Sequence, residues 1–279
     1  MSSSTESTRK LETVGPLHLH VENGRGTVEI TAADTSEATV EVVGPDADDV
    51  RVELDGERLV VVVPDRRGGF LSGTRRVDLT ITVPRHSDLT AKLGSADLVG
   101  TGELDATSVR SGSGDVSLDV LSGPTQVETG SGDVRLHHVD APLRIKSGSG
   151  DVSITRAGAE VTVSTGSGTV EIGECRGVTT VKTGSGDLRV GHAHTDVGLG
   201  TGSGDLLVDR VTAGRIQLKA ASGDLRVGVP AGIPVWTDVS TVTGRVLSTL
   251  EGAGQPEPGA DFIEIRAHSV SGDVELQQL

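Results

Sequence analysis

Residues 111–118 read Ser-Gly-Ser-Gly-Asp-Val-Ser-Leu, and 129–136 read Thr-Gly-Ser-Gly-Asp-Val-Arg-Leu. The same phrase returns along the chain. Taking its Asp as a ruler gives Asp97, Asp115, Asp133, Asp151, then Thr169, then Asp187 and Asp205, with the same step of 18 between each and the next. Asp224 follows after 19, and a further Ser-Gly-Asp stands at 271–273. A fixed period of this kind is the mark of a repeat architecture.

Numbering each repeat from its Asp as position 0 exposes the pattern. Position 1 holds Leu98, Val116, Val134, Val152, Val170, Leu188, Leu206 and Leu225. Position 3 holds Leu118, Leu136, Ile154, Ile172, Val190 and Val208, and position 12 holds Val109, Val127, Ile145, Val163, Val181 and Leu199. The residues between are mostly polar, which is strand alternation with one dry face. Each repeat therefore carries two short strands. One turn is the Gly-Ser-Gly-Asp run, where Gly permits positive φ and Asp can hydrogen-bond its own turn. The other varies, as in Ser122-Gly123-Pro124 and Asp140-Ala141-Pro142. Two strands and two turns in each period make one flattened coil. Stacked coils pair their strands in parallel about 4.8 Å apart. A helical reading fails, because two or more Gly per repeat cost about 1 kcal/mol each relative to Ala.

The fold expected is all-β: a parallel β-solenoid of 18-residue coils with irregular caps. Residues 1–10 read as a disordered tail and 11–279 as one solenoid domain. Within it, 11–90 form the N-terminal cap and irregular coils, 91–228 the regular repeats, and 229–279 the C-terminal coils with a Gly/Pro loop at 250–261. Trp236 and Phe262 are expected to plug the C-terminal end of the core.

Composition agrees with a thin core. The chain has 279 residues, 39 of them Gly, and its aromatics are two Phe, one Trp and no Tyr. The formal charge is −15. Such a chain lacks the basic surface that neutralises phosphate and the platforms on which bases stack, so nucleic acid is not an expected partner. No run approaches the 18 apolar residues of a membrane helix. No apolar stretch follows the polar start, so a signal peptide is not expected and the cytoplasm is the expected compartment.

Cys175, the one cysteine, falls in the apolar column of Leu121, Val139, Ala157, Ala193 and Val211, and reads as a packed thiol. His18 and His20 share a strand face, as do His192 and His194. They form no metal set and read as solvated surface histidines. Position 14 holds Ser111, Thr129, Ser147, Thr165, Thr183 and Thr201, a hydroxyl ladder open to an inter-coil or a ligand reading. The Asp column is the sharpest feature. Like charges about 4 Å apart repel by about 1 kcal/mol in water, so turn hydrogen bonds or a cation must offset them. Asp115, Asp133, Asp151, Asp187 and Asp205 are thus Ca²⁺ candidates, although calcium β-rolls place the motif twice per coil. Turn chemistry is the favoured reading, and no cofactor is expected. Arg66, Arg67, Arg75 and Arg76 flank a loop holding Phe70 and Leu71, a candidate partner contact. No catalytic constellation emerges.

The Gly-Pro-Leu at 15–17, the Val-Pro at 83–84 and the repeated Thr-Gly-Ser-Gly-Asp-Val/Leu blocks resemble a bacterial β-strand-repeat family of unknown function, often labelled as adhesins. The resemblance spans residues 15–276. It implies a single-stranded right-handed β-helix and supplies no catalytic residues. The expected function is a non-enzymatic scaffold presenting its ladders to a protein partner. The alternative is an adhesin or a Ca²⁺-binding, β-roll-like surface protein.

Overall fold

A computed structural model of the chain describes residues 5–45, 47–64, 76–251 and 262–279. The architecture is all-β, a parallel-strand, solenoid-like stack. Among the described residues the one helical element is the short 3₁₀ turn Ala47–Asp49. The chain divides into two compact units, Met1–Ala141 and Pro142–Leu279.

In the N-terminal unit, Leu98, Val116 and Val134 stand in register on successive parallel strands, and so do Val109 and Val127. In the C-terminal unit the column runs Val152, Val170, Leu188, Leu206, Leu225 and Val274. A second column runs Leu143, Val161, Thr179, Val197, Ile216 and Ile265. The alternation read from the sequence is the cause. Every second side chain faces inward, and these Val, Leu and Ile side chains are 0–3% exposed. Burying each contributes about 1.5–3 kcal/mol relative to leaving it in water. The parallel ladder meanwhile pairs backbone groups that could not be left bare in a core.

Each unit ends its stack out of chain order. In the N-terminal unit, His18–Asn23 lies between Arg58–Val62 and Ser87–Leu93. The following Thr27–Ala33 lies between Asp78–Pro84 and Asp97–Ser111. In the C-terminal unit, Ile263–Ser271 is inserted between Gly214–Ser222 and Val235–Thr241. Val274–Gln278 enters between Leu225–Val229 and Val246–Ser248. The outermost N-terminal strands are antiparallel: Glu37–Gly44 on Asp78–Pro84, Thr5–Glu12 on Glu37–Gly44, and Arg51–Asp55 on Arg58–Val62. They occupy edges that would otherwise offer unpaired backbone to another chain.

Two expectations need correction. Part of the supposed disordered tail is strand: Thr5–Glu12 pairs along its whole length with Glu37–Gly44. Its polar side chains hide the signal, because backbone pairing on an edge needs no dry face. Trp236 and Phe262 are not plugs, being 48% and 47% exposed. Val235 is in register with Ile263, whose side chain is fully buried. Trp236 and Phe262 each sit one residue from these inward positions, so alternation turns both outward.

The turn glycines are fixed by the closeness of successive coils. Gly186 has φ +141°, and a Cβ there would lie 2.2 Å from the carbonyl oxygen of Gly168. Gly200, on the outer face of the strand Val197–Ser203, is different: a Cβ would meet only ordinary contacts at 3.9 and 4.0 Å. Opposite effects are therefore expected in urea unfolding. Gly186→Ala destabilises by about 3 kcal/mol or more. Gly200→Ala stabilises by about 0.5–1 kcal/mol through lost chain entropy. Equal effects would refute the steric account.

Candidate functional site

The Asp column is a chain of hydrogen bonds from one coil to the next. In the N-terminal unit, Asp97 Oδ1 accepts the amide N–H of Asp115 at 3.0 Å, and Asp115 Oδ1 that of Asp133 at 2.9 Å. In the C-terminal unit, Asp151 accepts from Thr169, Asp187 from Asp205, Asp205 from Asp224, and Asp224 from Asp273, all at 2.8 Å. The carboxylate thus bonds the neighbouring coil's turn rather than its own. Asp88 and Asp196 use the same device at the opposite turn, on the amides of Ala106 and Arg215. Arg135 adds charge compensation, 2.8 Å from Asp133 and 3.5 Å from Asp115. Among the described residues no three His, Cys, Asp or Glu are grouped to hold a metal ion. One oxygen of Asp115, Asp187 and Asp205 is already committed to an amide. Asp205→Ala should cost about 1 kcal/mol in thermal or urea unfolding, and Asp205→Asn, which keeps an acceptor, clearly less. Equal losses would show that charge, not the acceptor, matters.

The hydroxyl column faces inward. Ser111, Thr129, Ser147, Thr165, Thr183 and Thr201 are only 8–9% exposed. Each donates to a carbonyl of the turn that follows it, such as Ser111 to Gly114 and Thr183 to Ser185. It is turn chemistry and offers no surface to a ligand.

Cys175 is fully buried, and burial pushes its thiol pKa up. Beyond it lies an unforeseen cluster on the outer face. Arg156 stands in register with Glu174, Glu174 with His192, and His192 with Arg210. Arg176 and His194 both reach Glu174 Oε1, at 3.0 and 3.1 Å. The His192 and His194 rings lie with centroids 3.9 Å apart, tilted by 36°. His192 Nε2 is buried without a hydrogen-bond partner. The i, i+2 spacing showed the shared face but not the basic neighbours. Desolvation, then His194, Arg210 and Arg176, hold the His192 pKa below its usual 6.5, against the pull of Glu174. The unfolded chain therefore binds this proton first as pH falls. Stability from the neutral ring is complete above about pH 6.5 and is lost as pH drops through the folded pKa. The Glu174 carboxyl, lowered from 4.5 chiefly by Arg176, acts in a more acidic range. His192→Gln should thus lose less stability than the parent between about pH 7 and 5, measured as urea midpoints. Parallel pH curves would refute this.

Of the basic loop, Arg66, Arg67, Phe70, Leu71 and Arg75 lie outside the described residues. Arg76 is occupied within the fold, with Nε 3.1 and 3.2 Å from the two carboxylate oxygens of Asp78. Its Nη2 donates to Thr27 at 3.3 Å.

One outer face of the C-terminal unit has a different character. Two outward rows cross its seven parallel strands. One row runs Arg144, Thr162, Thr180, Gly198, Gln217, Arg266, Asp238. Its neighbour runs Lys146, Ser164, Lys182, Gly200, Lys219, His268, Ser240. These rows hold five Lys or Arg and one carboxylate on a chain of net charge −15. Arg144, Lys182 and Lys219 are exposed and form no ion pair or hydrogen bond among the described residues. Arg266 is fixed by Glu264 at 2.6 Å and by the Trp236 ring at 5.7 Å. The phase of the repeat places these rows outward. Their basic character was legible at position 13, where Lys146 and Lys182 recur two coils apart.

Residues 17–277 match the family described as Toastrack DUF4097. The chain belongs to that family. Three solved structures align with this Toastrack chain from end to end at low identity. A candidate adhesin from Bacteroides fragilis is 15% identical, with 100% of this chain and 99% of that one covered and a TM-score of 0.39. A candidate adhesin from Parabacteroides merdae is 13% identical, with coverage of 97% and 95% and a TM-score of 0.42. A protein described as a candidate lipid-binding protein, from Parabacteroides distasonis, is 10% identical, with 96% of each chain covered and a TM-score of 0.37. No curated protein matches the Toastrack chain. Among the described residues no helix is long and apolar enough to cross a membrane.

Proposed function

We propose that this chain is a non-enzymatic binding scaffold, wound right-handed in 18-residue coils, that holds a macromolecule across the outer face built on Leu143–Ser147 through Val235–Thr241. One observation carries the reading. The turns consume the Asp and hydroxyl groups, whereas Arg144, Lys182 and Lys219 stand exposed, and unpaired among the described residues, in rows set by the backbone ladder. Solenoids bind through extended faces of this kind. A rigid ladder holds each cation at a fixed spacing, so little ordering entropy is spent on binding. The buried Cys175, with its raised pKa, is not available as a nucleophile.

The face can be mapped with a photo-crosslinking amino acid in the full chain, exposed to bacterial lysate. A macromolecule should be captured from Thr180, inside the rows, and not from Arg135, which is committed to Asp115 and Asp133. Equal labelling from both positions, or none from Thr180, would overturn the assignment.

A further inference from the structure

Most of the described glycines lie too close to neighbouring backbone to carry a side chain. At the turns a Cβ would strike backbone: 2.6 Å at Gly202, 2.2 Å at Gly204 and 2.0 Å at Gly223. Gly198 and Gly200 are under no such pressure. A Cβ on Gly198 would meet Thr180 Oγ1 at 4.0 Å, and one on Gly200 only Lys219 O at 3.9 Å and Lys182 Cγ at 4.0 Å. Both sit inside the strand Val197–Ser203, where Gly weakens the sheet. The fold does not require them. A strand glycine often marks a bulge, a tight bend or a place where a ligand approaches the backbone, and Val197–Ser203 keeps its register with both neighbours, without a bulge.

What surrounds them defines that partner. Lys182 and Lys219 flank Gly200 in one row, one strand away on either side. Thr180 and Gln217 flank Gly198 in the other. The result is a trough one strand wide over the bare backbone of Val197–Ser203, with Lys182 and Thr180 on one side and Lys219 and Gln217 on the other. Lys146, Lys182 and Lys219 recur on every second strand, about 9.6 Å apart at normal strand spacing. Nucleic acid carries its phosphates more densely, about 3.4 Å apart along each strand of a duplex, and single strands want aromatic platforms. The two rows contain no Phe, Tyr or Trp, and Trp236 beside them is taken up by Arg266. A sugar ring can lie flat on the glycine backbone and bond its hydroxyls to Thr180 and Gln217. A linear glycan with one carboxylate on every second ring matches the lysine period.

Building on the scaffold reading above, we infer that the trough over Gly198 and Gly200 binds a linear acidic polysaccharide, with Lys182 and Lys219 pairing successive carboxylates. The ligand lies along the row, across the strands.

The test uses the full chain and hyaluronan oligosaccharides, which carry a carboxylate on every second ring, titrated by calorimetry at low ionic strength. Saturable binding is expected, tightening as the oligosaccharide grows over its first few repeats and weakening with added salt. The Lys182→Gln/Lys219→Gln variant should bind at least about tenfold more weakly. Gly200→Val should weaken binding by filling the trough. Arg189→Gln, outside the two rows, should not. Unchanged far-UV circular dichroism and melting temperature would separate these effects from misfolding. Absence of saturable binding would overturn the proposal, as would affinity unmoved in the lysine double variant. Equal or tighter binding of oligothymidylate or of phosphatidylglycerol vesicles at the same lysines would overturn it in favour of a phosphate ligand. If hyaluronan fails while Thr180 still crosslinks a macromolecule, the scaffold reading stands and the glycan is wrong.

Discussion

The in-register parallel ladder is the constraint on which the rest of this structure depends. Each backbone amide in the stack finds its acceptor on the equivalent segment of a neighbouring coil, so what is required at one position is required again one period later in the regular columns. Turn glycines recur because each turn lies against the carbonyl of the turn beneath it. The Asp column recurs because each turn leaves an amide that the coil beneath can satisfy. Repulsion along that column is weak in water, about 1 kcal/mol per close pair, and is offset by one charge-assisted hydrogen bond per step. The thin interior follows as well. Facing strands carry one layer of Val, Leu and Ile each, which leaves no room for aromatic rings.

This explains what the sequence reveals and what it hides. The columns at positions 1, 3 and 12 are legible because burial and alternation act on side chains, and the register of Val170 with Leu188 follows directly. The edges are illegible for the complementary reason. Thr5–Glu12 is held by main-chain bonds that leave little trace in residue type. The inserted order of the terminal coils is hidden too. His18–Asn23 passes over several nearer strands to pair with Ser87–Leu93, and it does so with the same apolar alphabet as any other pairing. Trp236 shows the limit of composition as a guide. Size suggested a plug, yet phase relative to Val235 decides its direction. At the candidate surface, the lysine period and the outward phase were readable. The closeness of His192 to Arg210 and His194 needed coordinates.

Because the ladder spends the polar groups of the turns on itself, any chemistry offered to the outside must come from outward strand positions. These are free to vary without disturbing register. The face carrying Lys182 and Lys219 and the cluster around Glu174 use that freedom differently. Around Glu174, the carboxylate is already satisfied by Arg176 and His194, so the group closes on itself and shifts the titration of His192. In the lysine row, Lys182 and Lys219 have no ion pair among the described residues. Electrostatic attraction to a partner is strongest where charges are not already neutralised, and the overall charge of −15 makes such a row stand out against its background.

The inserted terminal coils bear on how such a face stays rigid. A solenoid ending in chain order would expose its last coil on one side and fray from there. Here the last strands, Ile263–Ser271 and Val274–Gln278, are paired on both sides, and the exposed place falls to Val235–Thr241 and Val246–Ser248. Releasing the C-terminus therefore means breaking two ladders rather than one. The cost is kinetic. Gly214–Ser222 must wait for Ile263–Ser271, far onward in the chain, and loop closure over that span precedes any gain from pairing. Once closed, the sheet beneath Gly198 and Gly200 is anchored on both flanks. Two outward glycines in one strand are tolerable because the strands on either side, Thr179–Ser185 and Gly214–Ser222, are themselves held from beyond.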